Sequence, residues 1–290
     1  MQNKLFSPNK TLNVNGKLID LSQPKVMGIL NVTPDSFYEG SCFTDPTLQL
    51  RQVEKMLEEE ADFIDVGGAS TRSGAANVSE EEERKRILPV IESVVKHFPD
   101  AVLSVDTFRS TIARQAVEAG ASIVNDVSGG EMDKNMFETV ASLHVPYILM
   151  HMRGTPQTMA QHTQYENLIL EITDYFQAKI YQLHQWGVKD IVLDPGFGFA
   201  KTSEQSFTLL RQLSHFHILE KPLLVGLSRK SMIWKTLQIK PEEALNGTTV
   251  LNTCALLQGA AILRVHDVRQ AKETIRLVSR LATSVLPDQH

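Results

Sequence analysis

The sequence predicts an α/β fold: a (β/α)8 TIM barrel preceded by a β-hairpin. Three observations lead there. Eight short apolar runs alternate with longer stretches of helical period, a hairpin signal stands before the first run, and the 290 residues suit a barrel of this kind. In the segment Leu12-Asn13-Val14-Asn15-Gly16-Lys17-Leu18-Ile19, apolar and polar residues alternate around Asn15-Gly16, and both turn residues tolerate positive φ. The hairpin is expected over about 11–22 and the barrel over about 25–284. No linker or composition shift divides the chain, so residues 1–290 are read as one domain.

The strands expected are Val26–Asn31, Phe63–Val66, Val102–Asp106, Ile123–Asp126, Tyr147–Met150, Ile191–Asp194, Leu223–Gly226 and Ile262–Val265. Parallel strands buried on both faces read as near-continuous apolar runs, as these do. A doubly wound open sheet is the alternative; the strand count and the leading hairpin favour closure. Between the runs, Ile87, Val90, Ile91, Val94, Val95 and Phe98 share one helical face, as do Ile169, Ile172, Phe176, Ile180 and Leu183. Pro46, Ser79, Ser110 and Ser203 stand at expected helix starts, and Ser79 with Glu82 forms a capping-box pattern. Glu80 to Glu83 reads as an acidic, dipole-favoured first turn.

Hydrophobic residues make up 42% and charged residues 22% of the chain, a globular balance. A net charge of −5 argues against non-specific nucleic-acid binding, although a few cations in one cleft could still take an anionic substrate. Cys42 and Cys254 stand far apart without metal-ligand spacing and read as reduced thiols. Residues 1–10 are polar and no apolar run is long enough for a bilayer, so a soluble, cytoplasmic protein without membrane partners is expected.

Polar residues end the runs: Asn31, Asp106, Asn125-Asp126, Asp194, then Ser228-Arg229-Lys230 and Arg264-Val265-His266-Asp267. In a barrel the C-terminal strand ends share one mouth, where active sites sit. Any one Asp or Asn could be a cap or turn residue. The set as a whole, with both signs of charge, suits a polar substrate better. Asp106, Asn125 and Asp194 offer acceptors, and a carboxylate can read adjacent N–H donors bidentately. Arg264, His266, Arg72 and Lys230 offer the positive charge that phosphoryl groups require. Asn31 could place an amide oxygen on a hard cation such as Mg2+. Segments 33–40 and 67–74, rich in Gly, Ser and Thr, read as loops able to close over a substrate.

The motifs Met27-Gly28-Ile29-Leu30-Asn31-Val32-Thr33-Pro34-Asp35-Ser36-Phe37 and Asp65-Val66-Gly67-Gly68-Ala69-Ser70-Thr71-Arg72 resemble signatures of the dihydropteroate synthases. So do Ser104-Val105-Asp106-Thr107, Asn125-Asp126-Val127-Ser128-Gly129, Asp194-Pro195-Gly196-Phe197-Gly198-Phe199, Ser228-Arg229-Lys230 and Arg264-Val265-His266-Asp267, all in the expected order. The resemblance implies condensation of 6-hydroxymethyl-7,8-dihydropterin pyrophosphate with p-aminobenzoate, with Mg2+ as cofactor and a homodimer as the assembly. It implies that Asp106, Asn125, Asp194 and Lys230 hold the pterin, and that Asn31 (through Mg2+), Arg264 and His266 handle the pyrophosphate. Thr71, Arg72 and Ser231 would help form the p-aminobenzoate site, with Phe199 along its wall. Asp35, Asp106 and Lys230 are the residues expected to take part in catalysis.

Three departures from the family pattern bear on the arylamine end and its sulfonamide mimics: Ser73 for proline, Tyr38-Glu39 for Ser-Asp, and Ala200 for the glycine before Lys201. Met150 reads equally as a pterin contact or as core, and His151 as a group behind the mouth. Trp186 and Trp234 read as core or interface anchors. Leu256, Leu257 and Val278 are expected as exposed apolar residues compatible with a dimer. A pterin-dependent methyl transferase and a non-catalytic pterin-binding paralogue are the rival functions. The first gives no purpose to Arg264-Val265-His266, and the second predicts lost motif residues.

Overall fold

A computed structural model describes residues 10–33, 46–69 and 78–283 of the chain. Two short antiparallel strands, β1 (Thr11–Val14) and β2 (Lys17–Asp20), open it. Their turn places Asn15 at φ 51° and Gly16 at φ 82°, the left-handed pair anticipated from the sequence.

Eight parallel strands follow. They are β3 (Lys25–Asn31), β4 (Phe63–Gly67), β5 (Leu103–Asp106), β6 (Ile123–Asp126), β7 (Tyr147–Met150), β8 (Ile191–Asp194), β9 (Leu224–Val225) and β10 (Ile262–Val265). The hydrogen-bonded order runs β8-β7-β6-β5-β4-β3-β10-β9. A parallel bridge between Leu193 and Leu223 closes β8 onto β9, with the Leu193 amide donating to the Pro222 carbonyl at 2.9 Å. The sheet is therefore a closed barrel, and the open-sheet alternative is set aside.

Outside it lie α1 (Pro46–Glu58), α2 (Glu80–His97), α3 (Ser110–Glu118), α4 (Met136–Leu143) and α5 (Leu168–Gln185). The ring continues with α6 (Ser203–Arg211), α7 (Ser231–Leu237), α8 (Leu245–Leu257) and α9 (Val268–Thr283). Ser79 caps α2 by accepting from the Glu82 amide, while the Glu82 carboxylate pairs with Arg86. At α6 the reciprocal box is made one residue earlier than the expected start, by Thr202 and Gln205. At α3 the cap position is Arg109, and the Ser110 amide is satisfied by Asp133 at 2.7 Å.

Side chains alternate across each strand. Leu103, Val105, Val124, Tyr147, Leu149, Leu193 and Leu263 pack with the helices in the outer core. Met27, Phe63, Ile123, Ile148, Val192, Leu224 and Ile262 fill the lumen, and Leu12, Val14 and Leu21 from the hairpin region seal its N-terminal end. The inner and outer faces are both apolar, and this is why the strands read as continuous runs.

Several expectations change. Glu80 to Glu83 do form the acidic first turn of α2, but Glu83 has a further place: it is fully buried, ion-paired with Arg109 and bonded by the Thr107 hydroxyl at 2.6 Å. Leu256 is 8% exposed and belongs to the core, whereas Leu257 is 64% exposed. Trp186 is 52% exposed at the end of α5 and is no core anchor; Trp234 packs against the outer core. Among the described residues no helix is long and apolar enough to cross a membrane.

Candidate active site

One step of the two-residue alternation above the apolar lumen layer turns the barrel interior polar. Phe63 gives way to Asp65, Ile123 to Asn125, Val192 to Asp194 and Ile262 to Arg264 on the same inward face. Ser104 and Asp106 face inward from β5, because Leu103 and Val105 pack outward. Asp126, next to Asn125, points the other way. Its carboxylate accepts from the Ser128 and Gly130 amides and the Tyr147 hydroxyl, so it shapes a turn and takes no part in the site.

The centre of the polar layer is an ion cluster. Arg264 donates through Nε to Asp65 Oδ2 at 2.6 Å and through Nη2 to Asp106 Oδ2 at 2.7 Å. Asp65 Oδ2 also accepts from Asn125 Nδ2 at 2.9 Å, which turns the Asn125 amide oxygen away from that carboxylate. Asp65 Oδ1 is buried with no hydrogen-bond partner among the described residues. Burial raises the Asp106 pKa to about 7, with Arg264 opposing and Asp65 adding to the rise. Burial works against the Arg264 charge, but Asp65 and Asp106 together hold its pKa above the ordinary value.

Asp194 and Lys230 form the second group. Asp194 is 6% exposed; burial raises its pKa, opposed by the Lys230 charge and by the Gly196 amide, which donates to Oδ1 at 2.8 Å. Burial lowers the Lys230 ammonium to about 8, against the attraction of Asp194. Lys230 stands at the N-cap position of α7, donates to the Phe197 carbonyl, and lies 4.7 Å from the Phe199 ring centroid. Ser231 begins α7 beside it.

The outer rim holds Asn31, partly buried at the end of β3 opposite Gly67, and His266, whose Nδ1 lies 3.0 Å from Ser228 Oγ. Arg229 turns away and is held bidentately by Asp267 at 3.0 and 2.8 Å. Met150 clusters with Val127, Met152, Met159 and Ala200, with Phe108 and Phe199 against them, so it belongs to an apolar wall at the mouth. Asp35, Thr71, Arg72, Ser73, Tyr38 and Glu39 lie outside the described residues.

Thus Asp106, Asn125, Asp194, Lys230 and Arg264 converge, and Arg264, expected with the leaving group, is bonded directly to Asp106 and linked to Asn125 through Asp65. Two residues not singled out as site members now stand in or behind it. Asp65 had a signal: a carboxylate at the inward position of an otherwise apolar strand. Lys201 had none beyond its place after the strand-six motif, because its burial comes from the loop folding back over it.

The family model described as "Pterin binding enzyme" matches residues 27–266. The dihydropteroate synthase of Escherichia coli (strain K12) is 42% identical over 269 residues, spanning 92% of this chain and 95% of the relative. That of Synechocystis sp. is 45% identical over 259 residues, spanning 88% and 89%. A solved dihydropteroate synthase of Yersinia pestis with a sulfonamide drug complex superposes with a TM-score of 0.90 at 40% identity, covering 94% of this chain and 100% of that one. The Xanthomonas albilineans enzyme with 4-aminobenzoic acid gives a TM-score of 0.87 at 36% identity, covering 95% and 99%. A buried polar layer of this make-up, on a chain that these relatives match over 88–95% of its length, leads to one assignment: the chain belongs to the pterin binding enzymes and, among them, to the dihydropteroate synthases, which are transferases.

Proposed function

We propose that the chain joins 6-hydroxymethyl-7,8-dihydropterin pyrophosphate to p-aminobenzoate, releasing pyrophosphate, by a dissociative route without a covalent enzyme intermediate. The observation that carries this reading is the layer of Asp65, Asp106, Asn125, Asp194, Lys230 and Arg264, buried at the C-terminal mouth of the barrel. With Asn125 Nδ2 engaged by Asp65, the amide oxygen of Asn125 and the carboxylates of Asp106 and Asp194 present acceptors, which suit a pterin edge rich in N–H donors. The same carboxylates would stabilise positive charge on the pterin methylene as the C–O bond breaks. The weakly basic arylamine then needs position more than a strong base. Phe199 and Ser231 flank Lys230 and would bound the p-aminobenzoate site, with Thr71 and Arg72 completing it.

Asn31 and His266 would meet the leaving group. Asn31 offers one neutral oxygen, and among the described residues no three His, Cys, Asp or Glu side chains form a metal cage. This donor set fits Mg2+ that arrives with diphosphate oxygens and water rather than a resident ion. When bound, Mg2+ supplies positive charge to the departing pyrophosphate.

The surface supports a homodimer. Val250, Leu257, Leu277 and Leu281 on α8 and α9 are 52%, 64%, 69% and 68% exposed, an apolar face suited to a second copy.

Pyrophosphate release measured with and without p-aminobenzoate tests the reaction. Release that depends on both substrates is expected. No release from a folded protein given pterin pyrophosphate, p-aminobenzoate and Mg2+ would overturn it.

A further inference from the structure

Lys201 is 7% exposed, and its ammonium is surrounded by neutral acceptors. Nζ lies 2.9 Å from His151 Nδ1, 3.1 Å from the Gly196 carbonyl, 3.0 Å from that of Phe199 and 3.4 Å from that of His151. Burying an ammonium is costly unless its donors are satisfied, and here three N–H groups meet four acceptors. The compensating charge is Asp194, which attracts Lys201 across the turn while burial lowers the lysine pKa well below its ordinary value. Burial, with Lys201 and Arg153, also pushes the His151 pKa down; an ammonium has only donors to offer, so the facing Nδ1 is the accepting nitrogen. That ring is wedged edge-on against Tyr175, 4.9 Å between centroids.

The acceptors bracket one segment. Gly196 donates its amide to Asp194 and its carbonyl receives Lys201. Its φ of +71° and its contact with the His151 carbonyl exclude a side chain. Phe199, at the other end of the turn, also bonds Lys201 through its carbonyl and turns its ring toward Lys230.

We propose that Lys201 is a positioning residue of the substrate site: its buried ammonium gathers the His151 ring and the Gly196 and Phe199 carbonyls, and so holds the turn that aims Asp194 at the pterin and sets the Phe199 wall. The role rests on the functional reading above and adds a residue that touches neither substrate.

Two variants test it, Lys201→Met, which removes every donor, and Lys201→Gln, which keeps an amide donor. Calorimetric titration with pterin pyrophosphate, steady-state kinetics for both substrates and thermal melts are measured together. In folded Lys201→Met, pterin affinity falls about tenfold and both KM values rise, while kcat falls less. Lys201→Gln recovers part of the affinity. Unchanged pterin affinity in folded Lys201→Met would overturn the proposal, as would a loss confined to kcat or to melting temperature. So would failure of both variants to fold, which would assign Lys201 to stability alone. A wild-type protein that binds no pterin pyrophosphate would overturn the functional reading itself, and this role with it.

Discussion

At Asp106 burial and ion pairing pull in opposite directions, and burial wins, leaving the carboxyl at about 7 despite Arg264 at 2.7 Å. Its partner Asp65 shares the same guanidinium, so one cation serves two carboxylates. This arrangement suits a group that stabilises a transient positive charge more than one that only grips a ligand. Asp106→Asn should therefore lower kcat by about 100-fold while pterin affinity falls much less. Equal losses in kcat and in calorimetric affinity would reduce Asp106 to a binding residue. Lys230 carries a second prediction, in stability. Its folded pKa of about 8 lies below the ordinary 10.5, so the unfolded chain binds the extra proton between those values. Stability linked to Lys230 is fully present above about pH 10.5 and is lost as pH falls through about 8. Urea unfolding across that window should show wild type gaining on Lys230→Met as pH rises, and parallel curves would refute the assignment.

At the level of elements, the loop after β4 is anchored at both described ends by arginines. Arg86 of α2 donates to the Gly68 carbonyl at 3.0 Å, and Arg109 donates to the Val78 carbonyl at 2.6 Å. Arg109 also neutralises Glu83, which is fully buried and carries the Thr107 hydroxyl. Removing one partner of a buried pair strands the other charge, so Arg109→Met should destabilise the fold by about 3 kcal/mol or more. Chemical denaturation measures this, and a loss under about 1 kcal/mol would show that the pair is solvated. The loop after β8 carries a backbone of a different kind. Ala200 takes φ 50°, a left-handed conformation that favours glycine, yet its methyl is buried in the apolar wall of Met150, Met152 and Met159. Strain and packing of that size, about 1 kcal/mol each, offset one another.

For the whole molecule, the hairpin does more than precede the barrel. Leu12 (1% exposed) and Val14 (4%) join the lumen layer beneath Asp65, Asn125 and Asp194, so the plug underlies the chemical site. Leu12→Ala should destabilise the protein by about 2–5 kcal/mol, read as a lower denaturation midpoint; a change within about 0.5 kcal/mol would place the hairpin outside the cooperative unit. Most of this architecture could be read from the chain. The eight runs are legible because a closed barrel buries both strand faces, and Asn15-Gly16 is legible because few residue pairs accept two positive φ angles in succession. Asp106, Asn125, Asp194 and Lys230 are legible as polar breaks after apolar runs. Asp126 misleads by the same rule: adjacent residues on a strand face opposite ways, so only one of Asn125 and Asp126 can enter the lumen. Local pattern thus decided element type, order and the strand ends that carry chemistry, since these depend on side-chain period and backbone preference. Only the tertiary fold decided that Arg264 bridges Asp65 and Asp106, that Glu83 is buried against Arg109, and that Lys201 meets the His151 ring beneath the Asp194 turn. Those pairings join residues 199, 158, 26 and 50 positions apart, set by barrel closure and by loops folding back, which no short window of sequence records.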